Sequence, residues 1–152
     1  MKMYLAARYS RWREMQDIAA QLTALGHEIV SRWITGAHEM PDDHQKSDGG
    51  KGPALALRFA QEDIADLILA DAVIHFTEAP GAPGRNRGGR HVEFGFAQAA
   101  GMIQVIVGPR ENVFHHLPNV ELYPTFSEFL TAIAGPVGDH PVTESLRNPK
   151  AA

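Results

Sequence analysis

The chain has 152 residues, 44% of them hydrophobic and 21% charged, with a net charge of −4 and no cysteine. That length suits one domain with a true core, and the acidic balance argues against wholesale binding to a nucleic-acid polymer or an anionic membrane. The missing cysteine excludes disulfides, thiolate chemistry and cysteine-ligated zinc, and it fits a reducing cytoplasm.

The start, MKMYLAARYS, reaches Arg8 too soon for a secretion signal. No apolar run nears the roughly 20 residues of a membrane span. Met3–Ala7 reads as a short buried strand, and Ser10 offers a capping hydroxyl to a helix with an apolar stripe of Met15, Ile18, Ala19, Leu22 and Leu25. Gly26 is placed to stop that helix. Glu28–Trp33 reads as a second strand, and Thr35–Gly52 as a long polar loop. Pro53–Ala70 reads as a helix whose apolar face holds Leu57, Ala60, Ile64, Leu67 and Ile68. Ala72–Phe76 is an apolar strand, followed by a glycine- and arginine-rich loop and a helix over Arg90–Ala100 closed by Gly101. Ile103–Val107 is a buried strand, Val120–Tyr123 a weaker one, and Thr125 caps a last helix running to Ala134. Residues 136–152 read as a proline-rich polar tail, poorly ordered, outside a domain spanning 1–135.

Strands alternating with helices imply a single-domain, Rossmann-like (flavodoxin-like) α/β fold: a doubly wound parallel sheet of about five strands with helices on both faces. Ligands bind such sheets at the C-terminal edge of the strands. Arg8–Arg11, the stretch from Trp33 to His38, the loop after Phe76 and the segment after Val107 all fall on that edge.

Glu93 is expected in the first turn of its helix, where the helix dipole would keep it ionised and ready to attack an electrophilic carbon. A glutamate is also common in first turns for structural reasons alone, and spacing leaves both readings open. Gly81, Gly84, Gly88 and Gly89 let backbone approach a ligand, while Arg85, Arg87 and Arg90 are suited to an anion or to solvent. Asp63 is a second carboxylate for acid/base work, or one of several acids on a solvated helix face with Glu62 and Asp66; Asp71 reads as a helix stop. Trp33 suits stacking on a base or packing in the core. His115 and His116 adjoin, the other six histidines are scattered, and no metal-binding spacing appears, so no metal and no cofactor are expected.

Three stretches in order, MYLAARYSR, DIADLILADAVIHF and VEFGFAQAAG, resemble the nucleoside 2-deoxyribosyltransferases and the related 2′-deoxynucleoside 5′-monophosphate N-glycosidases, over about Met1–Ala134. The resemblance implies Glu93 as nucleophile, Asp63 as the aspartate assisting at sugar and base, and Tyr4 as the tyrosine that orients the glutamate and lines the 2′ side of the sugar. It implies Arg8, Tyr9, Ser10 and Arg11 near a phosphate; from the loop's own residues, Arg87 is a further candidate for a 5′-phosphate and Gly89 lets the loop wrap the sugar. It puts Trp33 at the base, and Asn112, His115 and His116 in a segment that reaches a neighbouring subunit's site in a dimer or larger homo-oligomer. The partner would be a small nucleoside or nucleotide. The chain departs from the family in its loop GRNRGGR and in RHVEFG. Three activities follow: transfer of a deoxyribosyl group through a covalent Glu93 ester, hydrolysis of nucleoside 5′-monophosphates, or, from another class, nucleotide sensing without turnover. A cytokinin-activating type of phosphoribohydrolase fits less well, because APGRNRGGRHVE matches its PGGxGTxxE loop only loosely.

Overall fold

A computed structural model describes residues 1–38, 51–82 and 88–135. Five strands, β1 (Lys2–Ala6), β2 (Glu28–Ile29), β3 (Ala72–Phe76), β4 (Ile103–Val107) and β5 (Val120–Tyr123), pair in parallel in the order β2-β1-β3-β4-β5. The doubly wound parallel sheet is therefore as expected. Among the described residues four helices pack on them: α1 (Trp12–Ala24), α2 (Lys51–Leu69) and α3 (Gly89–Ala99) connect strands, and α4 (Phe126–Ala134) follows β5.

Registers fix which side chains share a face. Met3 pairs with Ala72, Leu5 with Ile74, Ile74 with Val105 and Phe76 with Val107; strand alternation puts this set on one side. That side meets Met15, Ile18 and Leu22 of α1 and Phe126 and Phe129 of α4, with Phe76 and Phe126 ring centroids 6.2 Å apart. The opposite side carries Tyr4, Ala6, Val73, His75, Gln104 and Ile106. It faces α2 and α3. A fully buried aliphatic side chain contributes about 1.5–3 kcal/mol, and Met3, Leu5, Leu22, Leu67 and Ile74 are all fully buried.

Several local expectations need correction. Ser10 does not cap α1: it lies in a 3₁₀ turn over Tyr9–Arg11, and the N-cap is Arg11, with no side-chain cap. Gly26 does end α1, at φ +88°, but Leu25 is exposed. β2 is only two residues long, and Trp33 sits beyond it in a 3₁₀ turn over Arg32–Thr35. The α2 expectation is inverted over most of the helix. Leu57 is 61% exposed and Ile68 65%, whereas the inner row holds Phe59, Asp66 and Leu67. Asp66 tolerates burial because it accepts from the Arg32 backbone N–H at 2.9 Å and from Arg32 Nε at 2.8 Å. Asp71 is more than a helix stop, since its Oδ2 accepts from the Lys2 N–H at 2.7 Å and ties β1 to the start of β3. Thr125 caps α4 as expected, its hydroxyl accepting from Glu128 N–H at 3.2 Å. Residues 39–50 of the predicted loop, Gly84, Arg85 and Arg87, and the tail 136–152 lie outside the described residues.

The chain leaves β4 through Gly108, at φ +117°, with its N–H donated to the Tyr123 carbonyl at 2.9 Å. A Cβ there would collide with the Thr77 hydroxyl and stand 3.3 Å from the Thr77 carbonyl oxygen. Gly108→Ala is therefore expected to cost about 1–3 kcal/mol; a thermal melt should show a loss of several degrees.

Candidate active site

Tyr4 points from the middle of β1 into the space between α2 and α3, fully buried. Its hydroxyl donates to Glu93 Oε1 at 3.1 Å. Burial, then the charges of Glu93 and Asp63, hold the Tyr4 pKa well above its usual value, so the phenol remains a donor. Glu93 Oε2 is buried and has no hydrogen-bond partner among the described residues. One carboxylate oxygen is thus pinned and the other is left open for chemistry.

Glu93 lies in the second turn of α3, not the first, because the helix begins at Gly89. Here the expected ionised state fails. Burial, followed by the charge of Asp63, pushes the Glu93 pKa up to about 8, against the lowering effects of the Tyr4 hydrogen bond and of Arg90. The helix dipole acts within the first turn, and desolvation outweighs it one turn further in.

Asp63 reaches the same space from α2. Burial raises its pKa to about 6; His38 and Arg32 pull it down, while Asp66 and Glu62 push it up. His38, placed at the strand edge by the sequence but given no role there, is buried, stacked on Phe59 with centroids 4.4 Å apart, and pairs with Glu62 at 2.7 Å and with Asp63 Oδ1 at 3.4 Å. Between about pH 6 and pH 8, Asp63 and Glu93 therefore hold one proton between them.

The other expected residues divide. Arg8 and Arg11 lie at the strand edge, but both meet Glu78, at 3.8 and 3.2 Å, and Arg11 also pairs with Glu14 at 2.6 Å. Ser10 is exposed between them. An anion at this edge would have to displace or share Glu78. Tyr9 donates to the Gly36 carbonyl at 2.7 Å. Trp33 is buried, with its indole N–H on the Leu5 carbonyl at 2.8 Å, which is a core placement. Gly89 is exposed at the start of α3. Asn112 caps the 3₁₀ turn Val113–His116 through Phe114 N–H at 2.9 Å. His115 is fully buried within the chain and so is turned away from any neighbouring subunit, whereas Val113, Phe114 and His116 face outward.

Sequence reading also missed a ring of polar groups under α3. Arg90 is buried and donates to Glu111 Oε1 at 2.8 Å, and Glu111 Oε1 also accepts from the Glu78 N–H at 2.9 Å. Beside it, His75, His91 and His115 converge, with a ligand-type atom of each lying within 4.8 Å of the others. The scattered histidines carry no spacing signal, yet the fold gathers three. Burial and the neighbouring imidazoles hold His75 well below its usual pKa; burial, followed by His91, pushes His115 down to about 4.

Among solved structures the fold has counterparts. Two of them are enzymes. A Clostridium botulinum CMP N-glycosidase, BcmB, superposes with a TM-score of 0.54 at 20% identity, over 88% of this chain and 98% of that one. A 2-deoxyribosyltransferase of Bacillus psychrosaccharolyticus superposes with a TM-score of 0.51 at 16% identity, over 74% of this chain and 76% of its own. No family model and no curated protein sequence matches. No helix among the described residues is long and apolar enough to cross a membrane.

The raised Glu93 pKa has a consequence for stability. The folded state keeps a proton that the unfolded chain loses near 4.5, so stability falls as pH rises from there through about 8. Glu93→Gln, which cannot ionise, is expected to melt higher than the parent at pH 8.5. The gain should vanish by pH 4, and melts at both pH values check it.

Proposed function

We propose that the protein cleaves the N-glycosidic bond of nucleosides or nucleotides, with Glu93 as nucleophile, as its resemblance to the nucleoside 2-deoxyribosyltransferases implies. The observation that carries this reading is the asymmetric carboxyl: Oε1 held by Tyr4 at 3.1 Å, Oε2 buried and unpartnered among the described residues. The names of the two fold counterparts, an N-glycosidase and a deoxyribosyltransferase, support it.

In the first step Glu93 Oε2 bonds to C1′ as the C1′–N bond breaks, the bonding pair leaving with the base and Asp63 giving that base a proton. In the second, an acceptor base or water attacks C1′, the ester bond breaks, and Asp63 takes up the proton released. The reaction needs the shared proton on Asp63, although Glu93 holds it more tightly in the chain alone. Positive charge developing at the sugar favours ionised Glu93 and so supplies the bias. Tyr4 stands beside Glu93 and in this reading crowds the 2′ side, favouring 2′-deoxy sugars.

A second reading is hydrolysis of nucleoside 5′-monophosphates. It is favoured by Arg8, Ser10 and Arg11 standing on the loop after β1 at the same edge as the carboxyl pair. The reading also includes a second copy covering the site, with Val113 (76% exposed) and Phe114 (63% exposed) at the contact. Sedimentation velocity at micromolar concentration should then show a dimer or larger assembly, and a fully active monomer would refute the cover.

Chromatography for free base after incubation with 2′-deoxynucleosides, ribonucleosides and their monophosphates, with and without an acceptor base, tests the activity and separates transfer from hydrolysis. Turnover should favour 2′-deoxy sugars and fall on both sides of an optimum between about pH 6 and 8. Glu93→Ala is expected to lose at least about 10³-fold in rate with the fold intact. Binding without base release, unchanged in Glu93→Ala, would instead mark a sensor.

A further inference from the structure

We propose that His75, His91 and His115, with Glu111, form a binding site for a late first-row divalent metal ion of the zinc type, which ties β3, α3 and the turn before β5 together. The site is distinct from the carboxyl pair, and the inference stands whether or not Glu93 is a nucleophile.

The strongest observation is His75. It is fully buried at the C-terminal end of β3, and neither ring nitrogen has a hydrogen-bond partner among the described residues. Desolvating an imidazole without a partner costs free energy that no hydrogen bond among the described residues returns. The ring faces two more imidazoles, its centroid 5.4 Å from that of His91 and 5.2 Å from that of His115. His115 is fully buried as well. Its Nδ1 meets the Glu111 N–H at 3.2 Å and its Nε2 meets Asn112 Nδ2 at 3.1 Å. A neutral imidazole accepts at one nitrogen only, so the chain's own donors do not serve this ring completely either.

Three imidazoles suit zinc, copper, nickel or cobalt, and hard ions such as magnesium do not choose them. Glu111 Oε2 lies 3.5 Å from His91 Nε2 and supplies the oxygen that completes a four-ligand set. Its Oε1 stays with Arg90, whose guanidinium orients the carboxylate from outside, as the partners of metal ligands commonly do. In a tetrahedral site, ligand nitrogens stand about 3.3 Å apart, given metal–nitrogen bonds near 2.0–2.1 Å. The three histidine atoms lie within 4.8 Å of one another, so closure needs side-chain rotation of about an ångström, the release of the 3.1 Å Asn112 contact and the loss of the 3.2 Å Glu111 N–H contact, because a ring that ligates through Nε2 carries its proton on Nδ1. Four protein ligands leave no open position, which makes the ion a structural tie and not a catalyst. His91 is two residues before Glu93 on α3, so the tie would fix the helix that carries Glu93.

The test uses the full chain, free of any histidine tag and stripped with a chelator. Cobalt(II) titration should give the visible absorption of a four-coordinate ion, saturating at one ion per chain. Zinc should abolish that absorption and raise the melting temperature. His91→Ala, at a half-exposed position, and His75→Gln should each weaken cobalt binding by at least about tenfold. Two variants keep the result interpretable if the buried one folds poorly. Absence of both the absorption and the melting shift in the parent would overturn the proposal, as would equal binding by parent and His91→Ala. Neither readout uses base release, so failure here leaves the proposed reaction standing, and the reverse holds too.

Discussion

One proton held by two carboxyl groups in a largely buried space is the constraint around which the molecule is arranged. Asp63 comes from α2 and Glu93 from α3, and the Tyr4 phenol rises from β1 between them. Two ionised carboxylates brought together away from water repel and lose hydration, so the protein keeps a proton it would shed in solution. Placing Glu93 at about 8 and Asp63 at about 6 is an expense to folding, offset by the aliphatic and aromatic packing on the far side of the sheet. In the proposed reaction the same cost would make the pair reactive, because an ionised Glu93 is destabilised here until positive charge appears next to it.

The parallel sheet makes that placement economical. Neighbouring strands in register put Tyr4, Val73 and Gln104 on one level of one face, and His75 and Ile106 on an adjacent level. The face toward α1 and α4 is mostly apolar, with Glu121 of β5 buried on it and accepting from the Tyr123 hydroxyl at 2.9 Å, while the face toward α2 and α3 carries the carboxyl pair and the histidines. A division of labour between the two faces lets one side supply cohesion and the other hold charge.

Much of the fold was legible because its signals are local. The apolar runs AVIHF and IQVIV, the glycine stop at Gly26 and the capping pair Thr125 and Glu128 each act within a few residues. The carboxyl pair was legible only through resemblance, since Glu93 and Asp63 have ordinary structural readings when taken singly. Three features escaped. The inner row of α2 is partly acidic, with Asp66 neutralised by Arg32 from a distant turn, so hydrophobicity pointed to the outer row of Leu57 and Ile68. The ionisation of Glu93 depends on burial, which no spacing reveals. The three histidines come from three separate elements, and only the fold brings them together, although a histidine inside an otherwise apolar strand was a visible hint at His75.

The grip of Asp66 on Arg32 reaches beyond local stability. Asp66 is almost one turn from Asp63 on α2, and Arg32 opens the turn that holds Trp33 and leads to His38, which returns to Asp63. Helix, turn and imidazole therefore close a loop of contacts that braces this wall against movement of any one part. A stiff wall selects ligands by fit instead of by accommodation. In the proposed reaction, discrimination among bases of different size would then be written into the opposite side, so two proteins could share this wall and its carboxyl pair and still differ in what they accept.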